Sequence, residues 1–414
     1  MKSARRLPPV WLMGLSNSTL GLNTGIVFFA MPQLLAAQHV PEARIAGITA
    51  AAMSANFWGV AFGPMLDVRF SRRWYATCLA VGASIMAAVA VLNLHRLVVL
   101  EAALVLGVAA GMLSTAALGG WLSAVCPDKD KNKLSAWMNI AAICGIGVAS
   151  AAGGELVRHL PSGLAATLIG SMLLLPAAIF LIIPAPGPDR RLAGESFRQF
   201  SRELLALLRR RQVLIALLLF VTPCSSFALT DILGGLGGDF HASARVVSMA
   251  GGMGAFLPGI IGCLLFPIIA KRLPLRFFYL ANGMLGCLFT LTLVLLPRTP
   301  GIFVLALLGE YLFQAVAFSI QIGVTFETIG WNNPLAATTF TFLTTATNIP
   351  VTYMMVADGR GYSMAGVTGC LAMDGVVGIA TCLLLGWLLY RHRGRGSTSY
   401  IAGADPLLAS PQED

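Results

Sequence analysis

Charge is scarce in this chain, and histidine scarcer still. Only 11% of the 414 residues are Asp, Glu, Lys or Arg, and His occurs 5 times. A soluble domain carries about a quarter charged residues, so composition alone excludes a water-facing globular fold. The eight cysteines (78, 126, 144, 224, 263, 287, 370 and 382) have no paired spacing. They read as small apolar packing residues, which removes a disulfide framework and a cysteine metal cluster. His39, His95, His159, His241 and His392 fall at loops or helix ends. A membrane-embedded enzyme would need a convergent nucleophile, base or metal set inside the bilayer, and none is present. Neither end carries a lipidation motif. The first apolar stretch is too long for a signal-peptide core, so it reads as a retained helix.

What the chain has instead is oil. Hydrophobic residues make up 57% and mean hydropathy is +0.79. A helix crossing a bilayer needs roughly 20 mainly apolar residues. Twelve such segments are predicted, at about 10–37, 43–66, 74–94, 97–125, 134–157, 162–183, 212–235, 245–270, 275–296, 299–323, 335–357 and 364–390. The fold class expected is an all-α membrane protein with 12 transmembrane helices. Asn17-Ser18-Thr19 matches a glycosylation sequon but lies inside the first segment, where no glycan can be attached.

The few charges are placed with a strong bias. Alternate gaps hold Lys2, Arg5, Arg6; Arg69, Arg72, Arg73; Lys129, Lys131, Lys133; the arginines from Arg190 to Arg211; Lys271, Arg272, Arg276; and Arg391, Arg393, Arg395. The other gaps hold only Arg44, Arg96, Arg158, Arg245, Arg298 and Arg360. Basic residues are retained on the cytoplasmic side, so both termini are expected inside and the helix count even. The net charge of +10 is thereby a topology signal, and nucleic acid is not an expected partner.

One gap is long. It opens with Pro184-Ala185-Pro186-Gly187-Pro188 and divides the chain into 1–183, a linker at 184–211, 212–395, and a polar tail at 396–414 that reads as disordered. Ser196 and Gln199 form a capping-box pattern ahead of a short basic surface helix. A shift of 203 positions lays Pro64 on Pro267, Arg69 on Arg272, Arg73 on Arg276, Trp74 on Phe277, Tyr75 on Phe278 and Glu155 on Asp358. The matches fall at topologically equivalent places, so the expected architecture is two six-helix bundles in parallel repeat, with a site between them at mid-membrane.

A carboxyl in hydrocarbon needs a cavity, a partner or a proton. Glu310, near the middle of the tenth segment, is therefore the leading candidate for proton coupling, with Gln314 and Gln321 on its face and Tyr311 beside it. No Lys or Arg lies in the interior of a segment to neutralise it. It can load and release a proton, or stay protonated and merely bond helix to helix. Asp374 is the second coupling candidate; Asp231 sits nearer a mouth, and Glu101 and Glu155 nearer the surface. Asn17 and Asn23 in the first segment, Asn56 in the second and Asn348 in the eleventh either line a substrate cavity or bond between helices. Phe227 and Tyr311 are further cavity candidates, suited to an amphipathic solute.

The turn Gly63-Pro64-Met65-Leu66-Asp67 with Arg72-Arg73 carries a glycine, an acid four residues on and paired basics after the second segment. In this it resembles the signature of the major facilitator superfamily, with Phe70 where that signature usually has glycine. The resemblance implies a gating role for Asp67, Arg72 and Arg73. Within that superfamily the chain looks like the group of bacterial muropeptide permeases and acetyl-CoA transporters, on Phe62 to Asp67, Trp121 ahead of Pro127, Gly309-Glu310 and Ala337-Thr338-Thr339. The helix-four acids of muropeptide permeases are here Thr115 and Gly119, and their helix-seven charges fall at Pro223 and Ser225. In length and lean cavity the chain is also similar to single-component siderophore permeases.

The resemblance implies an inward, proton-driven carrier in the bacterial inner membrane, a monomer without cofactor or metal. The expected partners are protons, lipid and a small molecule. An iron–siderophore chelate such as ferric pyochelin leads as substrate, and an anhydromuropeptide follows.

Overall fold

Every regular element among the described residues is helical. The computed structural model describes residues 7–68, 70–185, 202, 205–251, 254, 256–330 and 333–393. The first six spans are α1 (Val10–Ala37), α2 (Glu42–Asp67), α3 (Arg72–Leu92), α4 (Leu97–Val125), α5 (Asp128–His159) and α6 (Ser162–Leu181). The seventh, α7, runs over 211–240 in pieces. It is followed by α8 (Arg245–Ile269), α9 (Leu275–Leu295) and α10 (Pro300–Ile329). The helical stretch Ala336–Arg393 divides at Ala365 and Gly366, giving α11 (336–364) and α12 (367–393). Gly366 takes φ +58 there, a left-handed turn open to glycine without steric cost, so the two spans join with no longer loop. Among the described residues twelve spans in two six-helix bundles result, as the hydropathy pattern predicts.

Proline sets the departures from regular helix. Pro32 has no N–H and its ring crowds the carbonyl four residues earlier; the turn before it widens to a π-turn over Ile26–Ala30. Pro64 lies in the 3-10 end of α2 (Gly59–Asp67), and Pro176 follows the first residue of the 3-10 end of α6 (Leu175–Leu181). The predicted boundaries shift accordingly. The eleventh span continues to 364 instead of ending at 357, and the seventh, expected as one helix over 212–235, is broken and reaches 240.

The packing distinguishes the two faces of the membrane. One apolar core (Leu22, Ile26, Ala52, Leu104, Ile169) belongs to α1–α6 alone, and another (Leu229, Phe240, Leu293, Phe303, Leu371) to α7–α12 alone. Both lie on the far side, away from the termini. On the terminal side one core is shared: Leu66, Trp121 and Leu122 pack with Phe326, Ile329 and Phe340. The bundles meet backbone to backbone at α4 and α11, where a Cβ on Gly120 would fall 2.6 Å from the Ala337 nitrogen. Small residues let helix backbones meet in this way. The halves are thus joined on the terminal side and keep separate cores on the far side. Of the predicted surface helix after Ser196, residues 202 and 205–209 are described and helical; most of the linker and the tail at 396–414 lie outside the described residues.

Candidate functional site

The break in α7 builds the centre of the site. Pro223 pushes the residue before it out of helical geometry, and Thr222 is extended at φ −89, ψ 152. Backbone groups freed inside a membrane must be satisfied within the protein. Thr222 Oγ1 donates back to the Leu218 carbonyl at 2.8 Å, and Tyr353 Oη of α11 donates to the Val221 carbonyl at 2.8 Å. Cys382 Sγ of α12 donates to the Cys224 carbonyl at 3.1 Å, and Ser225 Oγ to the Tyr279 carbonyl of α9 at 3.2 Å.

The unwound segment lies on a bare strip of α9. A Cβ on Gly283 would fall 1.6 Å from the Cys224 carbonyl oxygen, and one on Gly286 would fall 2.5 Å from the Phe227 ring. Backbone cannot yield as a side chain does, so overpacking here exceeds the usual 1–3 kcal/mol or so. Gly283→Ala is expected to lower the thermal midpoint of the purified protein far more than Gly386→Ala, whose added Cβ meets open space.

Phe227 closes the break. It holds a left-handed φ of 49°, which costs a bulky residue roughly 1–3 kcal/mol. Its ring is fixed in return by stacking on Phe313 of α10 at 6.3 Å between centroids and 3° between planes; Phe313 in turn contacts Phe289 of α9. A cavity of about 10 Å³, room for one water, lies beside it, lined by Ser225, Ser226, Phe227, Gly286, Thr290 and Asp374.

Glu310 stands behind this cavity, 1% exposed. Its Oε1 lies 2.5 Å from Thr290 Oγ1, which is also 3.1 Å from the Gly286 carbonyl. A hydroxyl has one proton and cannot donate to both. With Glu310 ionised, Thr290 donates to the carboxylate. With Glu310 protonated, the carboxyl donates to Thr290, whose own proton turns to Gly286. Either form fits the same heavy-atom positions. Asp374 of α12 is buried on the cavity wall, and Asp358 of α11 is buried as well. Gln314 Nε2 donates to Thr230 Oγ1 of α7 at 2.7 Å and Gln321 Nε2 to Tyr279 Oη of α9 at 3.1 Å, while Tyr311 is half-buried beside Glu310.

The polar residues of the first bundle lie apart from that group. Asn17 Nδ2 donates to the Met138 carbonyl of α5 and Asn23 Nδ2 to the Gly107 carbonyl of α4, each at 3.1 Å. Both side-chain oxygens are buried without a partner. Asn56 is half-buried, and Asn348 Nδ2 turns back to the Thr344 carbonyl of its own helix at 3.4 Å. Asp231 is exposed; Glu101 pairs with Arg44, and Glu155 with Arg158 and His159. Asn139 of α5 was not among the expected cavity residues, although an asparagine within an apolar segment was its signal. Its Nδ2 reaches the Ala315 carbonyl of α10 at 3.0 Å and joins the bundles.

The Asp67 turn is the second centre. Asp67, 3% exposed, accepts from Arg72 Nε at 2.7 Å, from the backbone N–H groups of Ala337 and Thr338 at 3.2 and 2.7 Å, and from Thr338 Oγ1 at 2.7 Å. A carboxylate from one bundle thus caps the first turn of α11 in the other, where free N–H groups and the helix dipole favour negative charge. Arg72 Nη2 spends its remaining donors on the Asn333 and Pro334 carbonyls at 3.1 and 2.9 Å. Arg73 lies over the Trp121 ring at 5.9 Å, and Trp121 Nε1 anchors to the Pro184 carbonyl at 2.8 Å.

The sequence profile of the Major Facilitator Superfamily matches residues 13–339. A comparison with curated protein sequences returns no match. Solved structures with a similar fold include the E. coli fucose:proton symporter FucP at 12% identity, with a TM-score of 0.71, covering 92% of this chain and 98% of that one. The proton:xylose symporter XylE is similar at 15% identity and TM-score 0.66, over 92% and 95% of the two chains. A bacterial homologue of the iron transporter ferroportin, in an outward-facing state, is similar at 15% identity and TM-score 0.63, over 94% and 100%.

Proposed function

The chain belongs to the Major Facilitator Superfamily, a multi-pass membrane transporter, and from that premise we propose that it is a proton-coupled importer working by alternating access. The observation that carries this reading is Glu310: a carboxyl 1% exposed, with a hydroxyl as its hydrogen-bond partner, in the same half of the molecule as the break in α7. Transporters of this architecture bind their solutes at discontinuous helices near the membrane centre. The Glu310–Thr290–Gly286 arrangement accommodates the carboxyl with or without its proton, as a coupling group requires. The basic residues of the terminal side support a cytoplasmic location for both termini in a bacterial inner membrane. The shared core and Asp67 network then close the cytoplasmic side.

The solute proposed is a small amphipathic molecule with an aromatic ring, an iron–siderophore chelate of the ferric pyochelin type in the first instance. The stacked Phe227 and Phe313, with Phe289 tilted against Phe313, support it beside the unwound backbone, since flat rings gain by packing on aromatic surfaces. Proteoliposomes are expected to accumulate radio-iron-loaded pyochelin only when an inward proton gradient is applied. Accumulation without a gradient defeats the coupling, and its absence under a gradient defeats the substrate. Gradient-driven uptake of labelled anhydromuropeptide in its place would assign the carrier to cell-wall fragments.

A further inference from the structure

Asp358 takes no part in the scheme above, yet it is among the most deeply buried charged-type side chains of the second bundle. It is 0% exposed and neither carboxyl oxygen has a hydrogen-bond partner. Its equivalent under the 203-residue repeat, Glu155, is exposed and paired with Arg158 and His159. A structural carboxyl would be expected to keep donors of this kind, because an unsatisfied buried carboxylate is far costlier than a paired one.

The surroundings offer a partner other than a cation. Gly361 of α11 packs on α12, where an added Cβ would fall 2.5 Å from the Gly369 carbonyl oxygen and 3.0 Å from Met373 Cβ; in this antiparallel pair Asp358, one turn before Gly361, lies level with Asp374, next to Met373. Counting 1.5 Å per residue from the far ends of their helices, Asp358 lies about 9 Å deep, Asp374 about 10 Å and Glu310 about 15 Å. Asp374 and Thr290 share the water-sized cavity, and Thr290 touches Glu310. The other titratable groups beside these acids are the thiols Cys287 of α9, which lines the same cavity, and Cys370, buried one turn before Asp374 on α12. On the far rim, Arg298 is held by the Leu293 carbonyl and Thr368, Asp239 accepts from Tyr362, and Arg360 is exposed. Among the described residues no three Asp, Glu, His or Cys side chains are grouped to hold a metal ion.

We propose that Asp358 is the far-side proton acceptor of a relay in which Asp374 is the middle carrier and Glu310 the receiver. When alternating access opens the far side to water, Asp358 takes a proton from the far-side solution and passes it to Asp374. Asp374 passes it through the cavity to the vacated Glu310, each transfer returning one negative charge the other way. The inference rests on the reading of Glu310 as the coupling carboxyl.

The test needs no solute, only protons. Full-length protein in lipid is taken through a rapid pH jump while the infrared carbonyl stretch of protonated carboxyls is followed, with aspartates carrying ¹³C so that their bands separate from glutamate. In the unmutated protein an aspartate band is expected to change before the Glu310 band, which is identified by its loss in Glu310→Gln. In Asp358→Asn, Glu310 is expected to exchange its proton at least tenfold more slowly, and Asp358→Glu restores the rate. An unchanged Glu310 rate in folded Asp358→Asn overturns the relay and leaves Glu310 as coupling carboxyl. If Asp358→Asn does not fold, a Glu310 change that precedes every aspartate change in the unmutated protein overturns it equally. A Glu310 band that does not respond to pH at all overturns the coupling reading and the relay with it.

Discussion

Asp67→Ala is expected to open the terminal side of the molecule. The carboxylate satisfies four donors at once, one of them the guanidinium of Arg72, which is itself buried, and three on the first turn of α11. Removing one partner of a buried pair costs about 3–5 kcal/mol, because the other charge is left uncompensated. Every 1.4 kcal/mol or so is a tenfold change in an equilibrium, so the closed arrangement is disfavoured by a factor of roughly 100 to 3,000. The protein has a way to relieve this short of unfolding, since separating the bundles lets water reach Arg72 and the α11 N–H groups. Spin labels at Lys129 and Lys271, exposed on the terminal sides of the two bundles, should report a longer separation in the variant. A distance distribution identical to that of the unmutated protein would show that the network does not hold the gate. Asp67→Asn, which keeps an acceptor for Thr338 but loses the charge facing Arg72, is expected to fall between the two.

The Asp67 turn was legible in the sequence because its residues are local. Its glycine, acid and paired basics resemble a family signature, and Arg72 lies five residues from its partner. The partner on α11 was visible as the run Ala337-Thr338-Thr339, but nothing in the sequence says that the first turn of α11 receives Asp67. That contact depends on how two bundles dock, a property of 270 residues of intervening chain. The twelve spans were legible for the same reason in reverse: length and apolarity are summed over twenty residues, so local errors average out.

Other features were hidden by their own small size. The break in α7 hangs on Pro223 alone, and a proline in an apolar segment signals a kink without saying whether the helix resumes. Asp358 fell outside the expected eleventh span because Gly359, Arg360 and Gly361 lower the local hydropathy. In the structure the helix continues past them to 364 and carries Asp358 into the interior. The asparagines of α1 illustrate the opposite limit. A polar side chain in a membrane helix announces that it needs a partner, but the partners of Asn17 and Asn23 are backbone carbonyls, which no residue identity reveals.

Glu310→Gln is expected to separate transport from its energy source. An inward gradient of about 2 pH units carries about 2.7 kcal/mol per proton and supports an accumulation of about 100-fold at one proton per solute. Gln has the shape of a protonated Glu and donates to Thr290 as the neutral carboxyl does, so the packing around α9 and α10 is retained. What it lacks is a proton to release. The variant should therefore bind solute and exchange labelled for unlabelled solute across the membrane at a rate within a few-fold of the unmutated protein, while its accumulation under the gradient falls to about 1:1. The two assays discriminate between the roles open to Glu310. If the carboxyl only bonds α10 to α9, Gln supplies that bond and both assays remain normal. If it contacts the solute directly, exchange and accumulation are lost together. Only a coupling carboxyl loses accumulation and keeps exchange. Thr290→Val sharpens the comparison: it removes the hydroxyl hydrogen-bonded to Glu310 without removing the carboxyl, and should slow gradient-driven accumulation while leaving its final ratio unchanged.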